Sequence, residues 1–184
     1  MYIAILEVIT MADHQKFTHL TPAELTDNIF QLIGKDWMLI TAADKTTGLV
    51  NTMTASWGCA GILWNKPVGI CFVRPQRYTF EFTEASDTLT LSFFTEDYRK
   101  ALQYCGTHSG RDVDKFAETG LSLSHTPDGT PYISEARLVL VCRKLYADDL
   151  REGAFIDPAL LTNYKEKDYH RFYICEIMDV LIKE

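Results

Sequence analysis

Apolar and polar residues follow one another in short runs along most of the chain, which is the pattern of β-strands. The run at 49–57 is the clearest, because hydroxyl side chains alternate with apolar ones from position 52 to position 57. The run at 68–73 is continuously apolar, as expected of a buried strand. The pattern predicts strands at 37–44, 49–57, 68–73, 88–94, 136–148 and 170–183.

Signals for helices are short and fall in the connections between strands. Residues 21–24 (Thr-Pro-Ala-Glu) have the spacing of a capping box with proline at the first helical position. Thr79 is expected to cap a further helix, and Gly106 and Gly120 to end two others. The predicted helices therefore span 22–33, 95–106 and 157–164, with shorter ones after Thr79 and before Gly120.

This order of elements favours a mainly β fold. The alternation of strands and helices that builds a doubly wound parallel sheet is missing, and so is the G-x-G-x-x-G motif. A tight turn is predicted at 127–131. No repeat, linker or low-complexity tract divides the 184 residues. An antiparallel barrel with helical excursions fits the pattern best.

Composition restricts the partners of this fold. Apolar residues make up 47% and charged residues 23%, as in ordinary globular proteins, and the net charge is -7. An acidic chain is a poor ligand for nucleic acids and anionic membranes. The five cysteines show no C-x-x-C spacing, which predicts reduced thiols in the cytoplasm. Because the chain is acidic overall, a local cluster of arginines is a stronger sign of an anion site than it would be in a basic chain.

Such a cluster ends the apolar run at 68–73. The residues R-P-Q-R-Y-T at 74–79 bring two arginines and two hydroxyl groups to the start of a predicted helix. One interpretation is a solvated turn in which Thr79 caps the helix. The other is a phosphate site formed by Arg74, Arg77, Tyr78 and Thr79, because arginine forks, hydroxyls and helix N-termini all bind phosphate.

The strand with alternating hydroxyls also has two interpretations. Threonines suit β-structure, so a half-exposed strand explains the pattern without a ligand. Alternatively, a polar strand face lies against a heteroaromatic ring, with an indole covering the edge or face of the ligand. The candidate residues of that ring site are Asn51, Thr52, Met53, Thr54, Ala55, Ser56 and Trp57.

A loop rich in donors precedes one of the short helices. Two glycines and several polar side chains lie at 106–116, as in either a solvated loop or a lid over an anion. The candidate binding residues here are Ser109, Gly110, Arg111 and Lys115.

His170 stands at the start of the last predicted strand. A lone histidine at a strand edge is usually structural, but this one also suits the mouth of a pocket that holds a ring. The five histidines are far apart, and no second pair accompanies Cys105 and His108 at zinc spacing, so no metal site is predicted.

Taken in order, these motifs resemble the flavin reductase-like FMN-binding split-barrel family. The resemblance rests on G-K-D-W-M-L-I-T-A, N-T-M-T-A-S-W-G, the run from P-V-G-I-C-F-V to R-P-Q-R-Y-T-F-E-F, C-G-T-H-S-G-R-D-V-D-K-F and D-Y-H-R-F-Y-I-C-E-I. It covers roughly residues 22–183, which predicts an FMN-binding domain at 21–184 and an N-terminal extension at 1–20. The departure is Cys59, where a second glycine is expected.

The resemblance implies a six-stranded antiparallel Greek-key split barrel with short peripheral helices. It further implies a homodimer with FMN near the subunit interface, and electron transfer from NAD(P)H to flavin or another acceptor. A flavoredoxin-like FMN electron carrier without enzymatic activity is the alternative. Residues 51–57 would run under the isoalloxazine, residues 74–79 would take the phosphate and ribityl end, and residues 108–115 and His170 would complete the pocket.

Overall fold

Strands form most of the molecule. The computed structural model describes residues 17–183, so residues 1–16 of the predicted N-terminal extension and Glu184 lie outside the described residues. All six predicted strands are present within a few residues of their predicted bounds. The strands are β1 Phe17–Leu20, β2 Met38–Ala43, β3 Val50–Ala55, β4 Gly58–Leu63, β5 Lys66–Val73, β6 Thr88–Phe93, β7 Leu123–His125, β8 Pro131–Ile133, β9 Leu138–Asp149 and β10 Arg171–Lys183.

Eight of these strands belong to one antiparallel sheet. Its order is β3-β2-β6-β9-β10-β5-β4, and β1 pairs with β10 beside this path. Strands β7 and β8 form a separate hairpin around the predicted turn at 127–131. The mainly β, antiparallel class is therefore confirmed, although the sheet has more strands than the predicted six. The additional strand β4 has the sequence G-C-A-G-I-L, in which two glycines hide any alternation of side chains.

Strand β1 connects the start of the described chain to the sheet. It pairs Phe17 with Lys183 and Leu20 with Val180, so the last four residues of the predicted extension are part of the sheet. The Phe17 side chain is 8% exposed and its ring meets that of Tyr132 edge-on, with 5.5 Å between centroids.

Both faces of the central strands are buried. Met38 and Ile40 of β2 belong to the larger apolar cluster, which also contains three of the cysteines. Leu39 points the other way, into a second cluster with residues of the helix that follows β6 and of β8. Side chains in a strand alternate between faces, so β2 is covered on both sides. The second cluster fixes that helix against the sheet beside β3.

Most helices are shorter than the sequence predicts. The α-helices are α1 Ile29–Gln31, α2 Thr79–Ala85, α3 Arg99–Thr107 and α4 Lys115–Thr119. The predicted helix at 95–106 is present at full length, as a 3₁₀ turn at Glu96–Tyr98 that continues directly into α3. The predicted helix at 22–33 breaks into a 3₁₀ turn at Pro22–Glu24, helix α1 and a π-helical turn at Leu32–Asp36. The break occurs because Asn28 caps a new start, its side-chain oxygen accepting from the backbone N–H of Phe30 and Gln31.

Two further predicted helix features were wrong. Helix α2 begins at Thr79, whose hydroxyl accepts a hydrogen bond from Asn51 Nδ2 instead of capping the helix. Gly106 lies inside α3 and does not end it. A Cβ atom added at Gly106 would lie 3.3 Å from the side chain of Thr54. The predicted short helix at 157–164 is present as a 3₁₀ helix, Pro158–Asn163, capped by the side chain of Asp157. Gly120 does end α4, in the left-handed conformation at φ 69°.

The pairing of β1 leads to a stability prediction. Phe17→Ala should lower the free energy of unfolding by about 3 kcal/mol, because it removes a buried ring that packs on Tyr132. Phe30→Ala makes the same chemical change at a side chain that is 85% exposed, and should alter stability by less than about 0.5 kcal/mol. Urea denaturation measures both variants. Equal effects of the two substitutions would contradict the structural role of β1.

Candidate functional site

Strand β3 is attached to helix α3 by polar side chains. Thr54 donates its hydroxyl hydrogen to the backbone carbonyl of Leu102 in α3. Lys115, only 4% exposed, donates from Nζ to the carbonyls of Thr52 at 2.7 Å and Cys105 at 2.9 Å. These bonds hold the end of α3 and the loop that follows it against β3.

The predicted polar face of β3 is therefore only partly available to a ligand. Thr52 is fully buried, and its hydroxyl donates to the carbonyl of Ile40 at 3.1 Å and lies 3.0 Å from the hydroxyl of Thr41. Thr54 is bonded to α3 but still lines a cavity, as does Ser56.

That cavity has a volume of about 250 Å³ and lies between β3, the end of β5 and the start of β10. We call it the arginine cavity. It brings together eight of the predicted site residues, from three separate parts of the chain. Its lining residues are Met53, Thr54, Ala55, Ser56, Trp57, Phe72, Arg74, Arg77, Gly106 and His170.

Aromatic rings form one end of the arginine cavity. The His170 ring lies 5.1 Å from the Trp57 ring and 6.3 Å from the Phe72 ring, measured between centroids. His170 Nδ1 is 2.9 Å from the hydroxyl oxygen of Tyr164. Burial, together with the nearby charge of Arg74, lowers the pKa of His170 to about 4, although Asp168 opposes the shift. The imidazole is therefore neutral at neutral pH.

The two arginines of the cavity differ in their partners. Arg74 forms an ion pair with Asp168, donates to the carbonyl of Asn163 at 3.0 Å and lies over the ring of Tyr164. Arg77 donates to the carbonyl of Gly106 at 2.7 Å. Among residues 17–183, Arg77 forms no ion pair with a carboxylate. Burial, with the charge of Arg74 as a second cause, lowers the pKa of the Arg77 guanidinium.

Arg77 also lines a second, smaller cavity of about 160 Å³, which we call the loop cavity. Its walls are the segment before α2 and the loop after α3. Five further predicted site residues lie here. The lining residues are Gln76, Arg77, Tyr78, Thr79, Thr107, His108, Ser109, Gly110 and Lys115.

Lys115 gives the loop cavity a second cation, which is buried, whereas Arg77 is half-buried. Burial lowers the pKa of Lys115 to about 8; the neighbouring Cys105 opposes this shift and the charge of Arg77 adds to it. In the described part of the chain no carboxylate pairs with Lys115; its ammonium is held by two backbone carbonyls. Two mutually repelling cations thus face a small cavity lined by hydroxyl groups.

Gly110 fits closely between this loop and β3. A Cβ atom at position 110 would lie 2.4 Å from Oδ1 of Asn51, so only glycine allows the approach. Asn51 is itself fixed, because its Nδ2 donates to the hydroxyl of Thr79 at 3.1 Å. Asn51 therefore positions one wall of the loop cavity without lining it.

Three predicted site residues lie outside both cavities. Asn51 donates to the hydroxyl of Thr79, and the carbonyl of Thr52 accepts from Lys115, so both residues hold the cavity walls in place without lining them. Arg111 lies at the surface, where it forms an ion pair with Glu81 and stacks over Tyr78, with 4.6 Å from the guanidinium carbon to the ring centroid.

Sequence patterns did not indicate Phe72 and Gly106, which line the arginine cavity, or Tyr164, whose hydroxyl contacts His170. Phe72 was part of a continuously apolar run, and Gly106 was interpreted as a helix stop. Tyr164 lies in a segment whose pattern gives no sign of a site. The pairing of Tyr164 with His170 depends on the path of the chain between them.

Across residues 17–183, no group of three or more His, Cys, Asp or Glu side chains is arranged to hold a metal ion. Within the same residues, none of the helices has the length and apolar character needed to cross a membrane.

Comparison with protein families gives one match that covers most of the chain. The family model described as "Flavin reductase like domain" matches residues 31–184. No match was found among curated protein sequences.

Solved structures similar to this one come from several organisms. An FMN-binding domain of a flavin reductases-like enzyme from Shewanella baltica OS155 has a TM-score of 0.65 at 18% identity, covering 91% of this chain and 77% of its own. Flavoredoxin of Desulfovibrio vulgaris (Miyazaki F) has a TM-score of 0.64 at 21% identity, with 91% and 78% covered. Nitrilotriacetate monooxygenase component B from Bacillus cereus has a TM-score of 0.63 at 16% identity, with 90% and 81% covered. At these identities the likeness concerns the fold.

Proposed function

Because the chain belongs to the flavin reductase like domain family, we propose that it binds FMN in the two cavities that meet at Arg77 and acts as an FMN-dependent oxidoreductase. The observation that carries this proposal is the pair of cations at the loop cavity. Arg77 and Lys115 are both at least partly buried, neither pairs with a carboxylate in residues 17–183, and a cavity with hydroxyl groups lies beside them.

A phosphate monoester suits this arrangement. Charge-assisted hydrogen bonds from Arg77 and Lys115 would offset its negative charge, and hydroxyls of Tyr78, Thr79 and Ser109 line the same space. Gly110 supports the fit, because the loop approaches β3 so closely that a Cβ atom has no room.

The arginine cavity suits the ring of the flavin. Its wall combines residues 53–57 of β3 and the following turn with Phe72, Arg74 and His170. Together the two cavities, of about 250 and 160 Å³, fall in the roughly 300–1,000 Å³ range of ligand pockets. The neutral His170 contributes no charge to the ring site. Three predicted residues act from outside the cavities. Asn51 positions Thr79, Thr52 positions Lys115, and Arg111 positions Tyr78.

Bound FMN would supply two-electron redox chemistry, and the protein supplies binding, orientation and electrostatics. Arg77 and Lys115 hold the phosphate end, so that the orientation of the ligand is fixed at one end of the site. Trp57 and Phe72 give the ring cavity an apolar surface on one side. Arg74 is kept in place by Asp168 and by the carbonyl of Asn163.

The rest of the proposal concerns donors and assembly. NAD(P)H is the proposed electron donor, and a homodimer is the proposed assembly. Three exposed apolar side chains on or near β4, those of Trp57, Ile62 and Trp64, support an interface there. The proposed location is the cytoplasm, which is consistent with five free thiols.

Binding of the phosphate end can be tested by comparing FMN with riboflavin, which lacks the phosphate. Arg77→Gln should weaken FMN binding by about 1.5–3 kcal/mol, the typical contribution of a hydrogen bond to a charged group, and leave riboflavin affinity nearly unchanged. Isothermal titration calorimetry measures both ligands. Arg143→Gln is the matched control, since Arg143 is paired with Glu176 and lines neither cavity. Equal losses for FMN and riboflavin in Arg77→Gln would contradict the assignment.

A second experiment separates a reductase from an electron carrier. The FMN-loaded protein is mixed without oxygen with NADH and, separately, with NADPH, and the visible absorbance of the flavin is followed. A reductase should lose this absorbance with at least one nucleotide and should then reduce added free FMN over many turnovers. Tight FMN binding with no bleaching by either nucleotide would instead support the carrier.

A further inference from the structure

A third cavity, which we call the apolar cavity, adjoins the arginine cavity. Its volume is about 590 Å³, and its lining includes Ile29, Phe30, Ile33 and Leu150. It shares three lining residues with the arginine cavity, namely Ser56, Trp57 and Phe72. Trp57 and Phe72 thus form a common wall between the two cavities.

The lining of the apolar cavity carries no charged side chain. Its polar side-chain groups are limited to the hydroxyls of Ser56 and Tyr164, the indole N–H of Trp57 and the thiol of Cys59. The arginine cavity and the loop cavity, in contrast, each contain two cationic side chains. Removing a charge from water without an opposite partner is costly, so the apolar cavity favours an uncharged ligand and disfavours a dinucleotide with its phosphates.

A hydrogen bond joins the apolar cavity to the ring end of the arginine cavity. The Tyr164 hydroxyl, from a residue of the apolar cavity, lies 2.9 Å from Nδ1 of His170, a residue of the arginine cavity. The rings of Trp57 and His170 are 5.1 Å apart between centroids. A ligand in the apolar cavity would therefore be separated from the arginine cavity by one layer of side chains.

From this geometry we propose that the apolar cavity binds an uncharged organic compound of one to three rings. The volume lies within the usual range for small-molecule pockets, and the apolar walls with a few polar groups are typical of such sites. The placement of this compound beside a flavin rests on the proposed function. Binding of this compound to the apolar cavity does not rest on the proposed function, and the experiments that follow test it separately.

The test compares two fluorescent probes that share one ring skeleton. N-phenyl-1-naphthylamine is uncharged, and 1-anilinonaphthalene-8-sulfonate adds a sulfonate to the same skeleton. The uncharged probe should bind at least about tenfold more tightly, seen as enhanced probe fluorescence on titration with the protein. Equal binding of the two probes, or tighter binding of the sulfonate, would overturn the proposal.

Two glycine substitutions locate the probe. An added Cβ meets no atom within 4 Å at either Gly34 or Gly61. Gly34 lines the apolar cavity, whereas Gly61 lines a different apolar cavity of about 340 Å³. Gly34→Leu should weaken binding of the uncharged probe at least about tenfold, and Gly61→Leu should leave it unchanged. An unaffected affinity in Gly34→Leu would overturn the proposal.

Cys59→Phe is a second filling variant if Gly34→Leu does not fold. Cys59 also lines the apolar cavity and is exposed, so the larger side chain does not replace core packing. It should weaken binding of the uncharged probe as Gly34→Leu does, and unchanged binding would overturn the proposal. FMN titration of the wild-type protein is run in parallel. Probe binding without FMN binding would refute the proposed function and leave the apolar cavity supported.

Discussion

The buried ammonium group of Lys115 is the interaction on which the site depends. It bonds to the carbonyl of Thr52 in β3 and to that of Cys105 near the end of α3. These two bonds hold the loop after α3 against the sheet, where Gly110 meets Asn51 without room for a Cβ atom. Placing an ammonium in such surroundings without a carboxylate is unfavourable, and the lowered pKa of Lys115 reflects that cost.

The charge around the loop cavity depends on which cationic side chains form ion pairs with carboxylates. The chain carries a net charge of -7, and Arg74 and Arg111 both form ion pairs with carboxylates. Arg77 and Lys115 are held mainly by backbone carbonyls, and each depends on burial for its lowered pKa. An anion at the loop cavity would relieve the repulsion between them. This requirement connects the packing of α3 to the proposed binding of a phosphate group.

Local sequence patterns were sufficient for most of the sheet. Alternating or continuous apolar runs gave the six main strands, because burial on one or both faces leaves a clear period. Strand β4 was missed because its glycines leave little pattern, and β1 because a four-residue edge strand is stabilised by pairing with β10 rather than by its own composition. The helix at 22–33 was overestimated because the second cap, Asn28, was not recognised.

The sequence predicted most of the residues that form the site, but it did not predict how they are arranged in space. Thirteen of the sixteen predicted residues line the arginine cavity or the loop cavity, since the predicted segments are those in which polar groups interrupt apolar strands. The sequence did not predict which distant residues form hydrogen bonds and ion pairs with the site residues. Asp168 neutralises Arg74 from 94 positions away, and the inward hydroxyl of Thr52 is used by β2. Such pairings depend on the folded path of the chain.

The most direct measurement is an NMR titration of the Lys115 side chain, assigned by comparison with Lys115→Gln. In the protein without ligand, the titration midpoint should be about 8. Saturating FMN should raise this midpoint, because a phosphate dianion favours the charged ammonium, and riboflavin should leave it where it is. A midpoint that FMN does not move, although FMN is bound, would contradict the account.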